Sequence, residues 1–183
     1  MLEVNFNPFP ELKTERLILR KINDGDTEQL FKLRADKDVM KHIGKNRMTS
    51  INEAKDLIKL INDALESNSG ITWAMALKDE PKNLIGTIGL WRLIKEHYRA
   101  EIGYMLLPEY WRKGLTKEAI LKINKFGFNE LKLNSIEGRI TPLNMASAKI
   151  LESAGFVREA YFKEDFFFKG KFEDTAIYSL LNK

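Results

Sequence analysis

The stretch Glu101-Ile102-Gly103-Tyr104-Met105-Leu106-Leu107-Pro108-Glu109-Tyr110-Trp111-Arg112-Lys113-Gly114-Leu115-Thr116 decides the fold, because it predicts a strand followed directly by a helix. The mostly apolar residues before Pro108 are typical of a largely buried strand. Pro108 has no backbone N–H and cannot donate to a sheet, so we expect the strand to end there. A short turn then leads to a helix that runs from about Gly114 to Glu130.

The start of this predicted helix has the features of an anion-binding site. The first N–H groups of a helix have no partners within it, and they lie at the positive end of the helix dipole. Gly114 lets a ligand approach the backbone, and Arg112 and Lys113 add positive charge. These features predict a pyrophosphate site. The motif alone is also compatible with a solvated turn that binds no ligand, in which the glycine is needed only for the backbone conformation. The motif matches neither a P-loop nor a dinucleotide fingerprint.

The elements on either side predict one mixed sheet. Strands are expected at 14–20, 72–77, 84–93, 99–107, 135–140, 156–161, 166–168 and 175–181, and helices around 30–33 and at 50–65, 114–130 and 144–154. An antiparallel meander comes first, and a strand–helix–strand crossover then predicts a parallel, right-handed pair. The fold class is therefore α/β (α+β), a mixed, mostly antiparallel sheet of about seven strands with helices on both faces and a central parallel β-α-β pair. Residues 1–183 are expected to form one domain.

The amino-acid composition excludes several kinds of catalytic and metal-binding site. The 183 residues include no cysteine, which excludes disulfides, thiolate metal sites and cysteine nucleophiles. His42 and His97 are far apart in sequence and form no zinc signature, so no metal is predicted. The net charge of +4 favours an anionic ligand without requiring nucleic acid, because it arises from mixed charges. We find no apolar run near the roughly 18 residues of a membrane span and no secretory signal, and therefore expect a cytoplasmic protein without a membrane partner.

Four segments, each present once, follow one another along nearly the whole chain: Thr14-Glu15-Arg16-Leu17-Ile18-Leu19-Arg20, Glu101-Ile102-Gly103-Tyr104, Pro108-Glu109-Tyr110-Trp111, and Asn144-Met145-Ala146-Ser147 with Leu151-Glu152 and Gly155-Phe156. Together they resemble the GNAT acetyltransferases, and within them the Rim-type branch, which includes ribosomal-protein alanine N-acetyltransferases. The segment from Trp111 to Thr116 is similar to the coenzyme A signature of that family, R/Q-x-x-G-x-G/A. Trp111 replaces Arg or Gln, as is usual in the Rim-like branch, and Thr116 replaces Gly or Ala, which we expect to preserve binding.

The resemblance implies that acetyl-CoA is the co-substrate. Its diphosphate is then expected at five residues: Arg112, Lys113, Gly114, Leu115 and Thr116. In the resembled family, the strand before the turn splays from its parallel neighbour, and its backbone binds the pantetheine arm. The resemblance therefore implies that the backbones of Met105 and Leu106 bind this arm and that the Leu106 N–H polarises the thioester carbonyl. Asn144 is implied as a further pantetheine contact, although it is equally explained as a helix N-cap. Gly103 predicts a bulge or a close backbone contact.

Two side chains are candidates for catalysis. Glu101 interrupts an apolar strand that ends at the proposed cofactor site, so burial is expected to raise its pKa and make it the general base, directly or through water. The alternative is an ion pair with Arg99 or Arg139. Many members of the resembled family have a tyrosine acid at the position of Leu151, so Ser147 is our candidate donor to the departing thiolate, with a small interhelical contact as the alternative. The absence of cysteine favours direct attack within a ternary complex.

The acceptor is the least determined part. The Rim-type resemblance implies a protein N-terminal α-amine, such as that of a ribosomal protein. Trp91, Glu96, His97 and Tyr98 are candidates for the acceptor entrance, although Trp91 fits the core equally well. We expect the Phe166-Phe167-Phe168 run to belong to the sheet core. A small amine acceptor (polyamine, amino acid or antibiotic), a non-catalytic coenzyme A-binding domain and a nucleic-acid-binding protein remain as alternatives, and the sequence is compatible with a homodimer.

Overall fold

A computed structural model describes residues 1–183 and contains one eight-stranded sheet with five α-helices. The strands are β1 (Leu12–Lys13), β2 (Leu17–Lys21), β3 (Ile71–Leu77), β4 (Gly86–Ile94), β5 (Arg99–Leu106), β6 (Ser135–Ile140), β7 (Val157–Phe168) and β8 (Lys171–Leu181). The helices are α1 (Thr27–Ala35), α2 (Lys37–Met40), α3 (Ile51–Glu66), α4 (Leu115–Asn129) and α5 (Met145–Ser153). None of these helices has both the length and the apolar character needed to cross a bilayer.

The sheet has the order β1-β2-β3-β4-β5-β6-β8-β7. Every neighbouring pair is antiparallel except β5 and β6, which are joined through α4 and run parallel. The predicted fold class is therefore confirmed. Three details differ. The two-residue strand β1 and the four-residue helix α2 were not predicted, because such short elements show no hydrophobic periodicity. The segments predicted at 156–161 and 166–168 belong to one bulged strand, β7.

Apolar side chains form two cores, one on each face of the sheet. The larger core includes Ile120 and Ile123 of α4 and Leu151 of α5. The smaller core includes Leu30 of α1 and Ile58 of α3, and it lies on the other face. Because successive residues of a strand point to opposite faces, β5 contributes to both cores. Ile102 and Leu106 pack against α4 and α5, whereas Met105 packs against α1 and α3.

The expectation that Phe166-Phe167-Phe168 lies in the sheet core is wrong. Phe166 is 40% exposed and Phe167 is 60% exposed. The physical reason is that the pairing of β8 with β6 ends at Ala176, so the part of the β7–β8 hairpin that contains Phe166 extends beyond the rest of the sheet. The ring of Phe166 instead lies against Gly44, where an added Cβ would be only 2.7 Å from the ring. The hairpin therefore contacts the segment that follows α2.

Candidate active site

The turn before α4 leaves the first N–H groups of that helix available to a ligand. Gly114 is the N-cap residue, and no side chain caps the helix. Its φ of 76° is left-handed, a conformation that costs a residue with a side chain about 1–2 kcal/mol. An added Cβ at Gly114 would meet no atom closer than Arg16 Nη2 at 3.5 Å, so the backbone is open on this side.

A cavity of about 270 Å³ opens beside this turn, between α4 and α5. It is lined by Leu106, Tyr110, Arg112, Gly114, Leu115, Thr116, Lys117, Lys149, Ile150 and Ser153. The lining contains all the predicted diphosphate residues except Lys113, and it adds Lys117 and Lys149. Lys149 was not predicted from the sequence, because it lies on α5 and not on the helix that follows the turn. Free helix N–H groups together with three cationic side chains fit a diphosphate. A larger cavity, about 320 Å³, lies beside Phe6 and Leu65 and contains none of the predicted site residues.

Arg16 connects the turn before α4 to the sheet through hydrogen bonds, a role that was not predicted from the sequence. Its Nη1 donates to the Lys113 carbonyl and its Nε donates to Glu118, both at 2.8 Å. Thr14 Oγ1 also donates to Glu118, at 2.5 Å. Burial would raise the pKa of Glu118, but the hydrogen bonds from Thr14 and Arg16 outweigh burial and lower that pKa. Lys113 contributes its carbonyl here, while its ammonium group lies over the ring of Tyr110.

The strands β5 and β6 separate beside the cavity. They pair only from Arg99 with Ser135 to Glu101 with Glu137, although β5 continues to Leu106 and β6 to Ile140. A gap between two parallel strands exposes backbone groups that would otherwise bond to each other. The structure therefore contains the splayed strand pair that the family resemblance implied.

Within this gap, the backbone of Leu106 is available and that of Met105 is not. The Leu107 N–H donates to the Ile85 carbonyl at 2.9 Å, which makes Leu106 and Gly86 a non-hydrogen-bonded pair of the antiparallel β4–β5 ladder. The backbone of Leu106 thus points away from β4, whereas Met105 is paired with Thr87.

The indole N–H of Trp111 donates to the Leu106 carbonyl at 2.7 Å, so only the Leu106 N–H remains free. Trp111, one of the two residues that depart from the broad signature, therefore connects the turn to the end of β5. A backbone contact with a ligand in the gap is thus expected at the Leu106 N–H rather than at Met105.

Glu101 lies at the last paired position before the gap, and its side chain is 15% exposed. Burial raises the pKa of Glu101, and although Arg92 and Arg139 lower it, the pKa remains raised. Glu101 does form an ion pair, but its partner is Arg92 and not Arg99 or Arg139, the two arginines expected from the sequence. Arg92 Nη1 lies 2.8 Å from Glu101 Oε2, while Arg99 bonds to Glu137.

Ser147 lies on α5 and joins it to β5. Asn144 Oδ1 accepts from the Ser147 N–H at 3.1 Å, so Asn144 is an N-cap, in agreement with the simpler interpretation. Ser147 Oγ lies 2.7 Å from Tyr104 Oη. Burial raises the pKa of Tyr104 to about 12, so the phenol stays protonated at neutral pH and can donate to Ser147. Leu151, one turn further along α5, is fully buried, packs against Gly138 and has no polar group to offer a thiolate.

Glu101 and Ser147 lie on opposite faces of the sheet. Glu101 shares its face with Met105, on the side of α1 and α3, whereas Tyr104 and Ser147 lie on the side of α4 and α5. The gap between β5 and β6 connects the two faces. A ligand that enters from the α4 turn and passes through the gap can therefore meet the hydroxyl on one side and the carboxylate on the other.

Gly103 makes the close contact that the sequence predicted. An added Cβ there would overlap the ring of Trp91, and the indole N–H of Trp91 donates to Thr72 Oγ1 at 2.9 Å. Trp91 therefore packs on the sheet. The bulge lies in β4, where the register shifts between Trp91 and Ile94.

Comparison with known proteins gives a consistent result. The family described as "Acetyltransferase (GNAT) domain" matches residues 16–157, a range that contains the α4 turn, Glu101 and Ser147. The uncharacterized N-acetyltransferase YoaA of Bacillus subtilis is 38% identical over 173 residues, which cover 94% of this chain and 97% of YoaA.

Two solved structures are similar over nearly their full length. An acetyltransferase of the GNAT family from Bacillus anthracis is 30% identical, with a TM-score of 0.83 and coverage of 94% of this chain and 98% of that one. The spermidine N-acetyltransferase from Vibrio cholerae, in complex with CoA and spermine, is 25% identical, with a TM-score of 0.79 and coverage of 90% and 95%.

Proposed function

Because the chain belongs to the GNAT family of acetyl-CoA-dependent N-acetyltransferases, we propose that its acceptor is a protein N-terminal α-amine, attacked directly in a ternary complex. The observation that carries this choice is that the carboxylates around Glu101 are already compensated by arginines. The pairs are Glu101 with Arg92, Glu137 with Arg99, and Asp165 with Arg139.

This compensation favours an acceptor with a single positive charge. A polyamine carries several ammonium groups, and their recognition needs carboxylates without cationic partners. An α-amine brings one ammonium group, which needs to replace only one cation, the Arg92 guanidinium group at Glu101. A polyamine acceptor is the second candidate, because the related Vibrio cholerae enzyme is a spermidine N-acetyltransferase.

On the cofactor side, the proposal uses the α4 turn and the cavity beside it. The free N–H groups after Gly114, with Arg112, Lys117 and Lys149, would hold the diphosphate of acetyl-CoA. The Leu106 N–H, directed into the gap, would donate to the thioester carbonyl oxygen as negative charge develops there. Acetyl-CoA itself supplies the activated acetyl group.

In the transfer step, the amine nitrogen forms a bond to the acetyl carbon and the carbon–sulfur bond breaks. Glu101 takes the proton of the ammonium group, directly or through water, and the raised pKa of Glu101 suits this task. Ser147, held by Tyr104, donates a hydrogen bond to the departing thiolate. Thiolates are good leaving groups, so this assistance is small compared with that of the base.

The test is a turnover screen with acetyl-CoA, using thiol release as the readout. Peptides beginning with Ala or Ser are compared with spermidine and an aminoglycoside, and the peptides are expected to give the highest kcat/KM. Glu101→Gln is expected to lower kcat about 100-fold, because it removes the base, while calorimetry shows unchanged acetyl-CoA affinity.

Glu109→Gln is the matched control, since Glu109 is an exposed carboxylate paired with Lys32. Faster turnover of spermidine than of any peptide would contradict the proposed acceptor. Acetyl-CoA binding without turnover of any amine would instead support the non-catalytic alternative.

A further inference from the structure

Arg92 reaches Glu101 from a distorted part of the neighbouring strand. The register of β4 against β5 shifts between Trp91 and Ile94, and Arg92 has a left-handed φ of 45°. Its Nη1 donates to Glu101 Oε2 at 2.8 Å. A left-handed residue with a long side chain is uncommon, and such backbone strain is concentrated at functional sites. The bulge thus holds a guanidinium group over the candidate base.

The two ends of this ion pair differ in exposure. The side chain of Glu101 is 15% exposed, whereas that of Arg92 is 70% exposed. The carboxylate is therefore fixed within the sheet, while the guanidinium group extends into solvent, where ion pairs are weak. A second cation can replace the guanidinium group at this carboxylate without rearranging the sheet.

The other charged groups that face Glu101 have partners of their own. Glu137 of β6 bonds to Arg99, and Arg139 of β6 lies 3.6 Å from Asp165 of β7. Arg92 has no side-chain hydrogen bond or ion pair except the one with Glu101. Arg92 is thus the cation that can leave without breaking a further contact.

We propose that Arg92 is a placeholder for the acceptor: it occupies the Glu101 carboxylate in the free enzyme and is displaced when the ammonium group of the acceptor binds there. Arg92 acts through Glu101 and is a positioning residue, and its role rests on the proposed function of Glu101 as general base. A guanidinium group remains protonated at any relevant pH, so it orients the carboxylate without giving up a proton to it. The displacing ammonium group then passes its proton to the oxygen that Arg92 has left.

Loss of Arg92 should affect the free enzyme and the complex differently. A nearby cation lowers the pKa of a carboxylate, so removing Arg92 raises the pKa of Glu101 in the free enzyme. The acid limb of the kcat/KM profile, which reports the free enzyme, should therefore move to higher pH. The acid limb of kcat should stay in place, because Arg92 is already displaced in the complex. Above the acid limb, at a pH where the acceptor amine is still protonated, the KM for the acceptor should fall about threefold, because the competing cation is absent.

The experiment compares Arg92→Asn, Arg92→Lys and Arg158→Gln with the wild type, using an Ala-initiated peptide as acceptor. Asn tolerates the left-handed conformation, Lys keeps the positive charge, and Arg158 is an exposed arginine of β7. Only Arg92→Asn should shift the kcat/KM limb. A shift of both limbs, or of neither, would overturn the placeholder role. A lower kcat together with a lower melting temperature, without any shift in the pH profile, would also overturn it, because it would indicate a purely structural role.

A second measurement does not depend on the acceptor. NMR titration of the ¹³C-labelled Glu101 carboxyl in the free enzyme should give a higher pKa in Arg92→Asn than in the wild type. An unchanged titration rejects the placeholder whatever the acceptor. Retained turnover in Glu101→Gln rejects the general-base assignment instead, so the failures of the two proposals are distinguishable.

Discussion

The phenol oxygen of Tyr104 lies 2.7 Å from the hydroxyl oxygen of Ser147, and this contact joins β5 to the first turn of α5. If Ser147 donates to the departing thiolate, Ser147→Ala should lower kcat about 10-fold, less than the loss of an oxyanion donor, because the thiolate needs little help. Tyr104→Phe should have a smaller effect, since it only releases Ser147. Steady-state kinetics with acetyl-CoA measures both.

The double variant Tyr104→Phe with Ser147→Ala tests whether the two residues act as one unit. Its kcat should equal that of Ser147→Ala alone, because the phenol acts only through the hydroxyl. Tyr161→Phe serves as the control, since Tyr161 is an exposed tyrosine of β7. Additive losses would show that Tyr104 and Ser147 act independently.

Gly114→Ala should weaken acetyl-CoA binding about 10-fold and lower the free energy of unfolding by about 1–2 kcal/mol, because Ala is strained at a left-handed position. Gly170→Ala is a matched control, with a φ of 78° and no atom within 4 Å of an added Cβ. It should show the same strain in thermal unfolding and unchanged binding in calorimetry. Equal binding losses in both variants would remove the case for a phosphate site at the α4 turn.

The Glu118 carboxylate should stabilise the fold in a pH-dependent way. Its pKa is lowered from the ordinary value of 4.5, so its contribution is complete above that value and is lost as the pH falls through the lowered pKa. Glu118→Gln should therefore reduce the free energy of unfolding by about 1–3 kcal/mol at pH 7, and the difference from wild type should shrink in acid. Urea unfolding at several pH values measures this. Glu109→Gln, at an exposed pair, should change stability little at any pH, and a pH-independent loss in Glu118→Gln would contradict the linkage.

Leu151→Tyr introduces the residue that many related enzymes use as an acid, yet it should not raise kcat. Leu151 is fully buried, and its methyl groups lie against Gly138, so a larger ring overpacks the core and should cost about 1–3 kcal/mol. Leu151→Met, which conserves volume, should cost less in thermal unfolding. A rise in kcat for Leu151→Tyr would mean that this position does reach the leaving thiolate.

Local sequence patterns predicted what depends on neighbouring residues along the chain. As predicted, β5 ends before Pro108, α4 begins after Gly114, and a helix begins after Ser50. The apolar residues around Glu101 also predicted that this carboxylate is largely buried. Hydrophobicity alone failed at Phe166, because a run of apolar residues predicts burial only if another element covers the strand.

The sequence by itself determined the fold class, the glycine turn that begins α4 and the absence of cysteine chemistry, since these follow from backbone geometry and residue type. Only the tertiary structure decided which side chains meet: Arg16 with the Lys113 carbonyl, Arg92 with Glu101, and Tyr104 with Ser147. Periodicity gives the face of an element on which a residue lies. It does not give the neighbour across that face, because sheet order, the bulge in β4 and helix packing arise from contacts between segments remote in sequence.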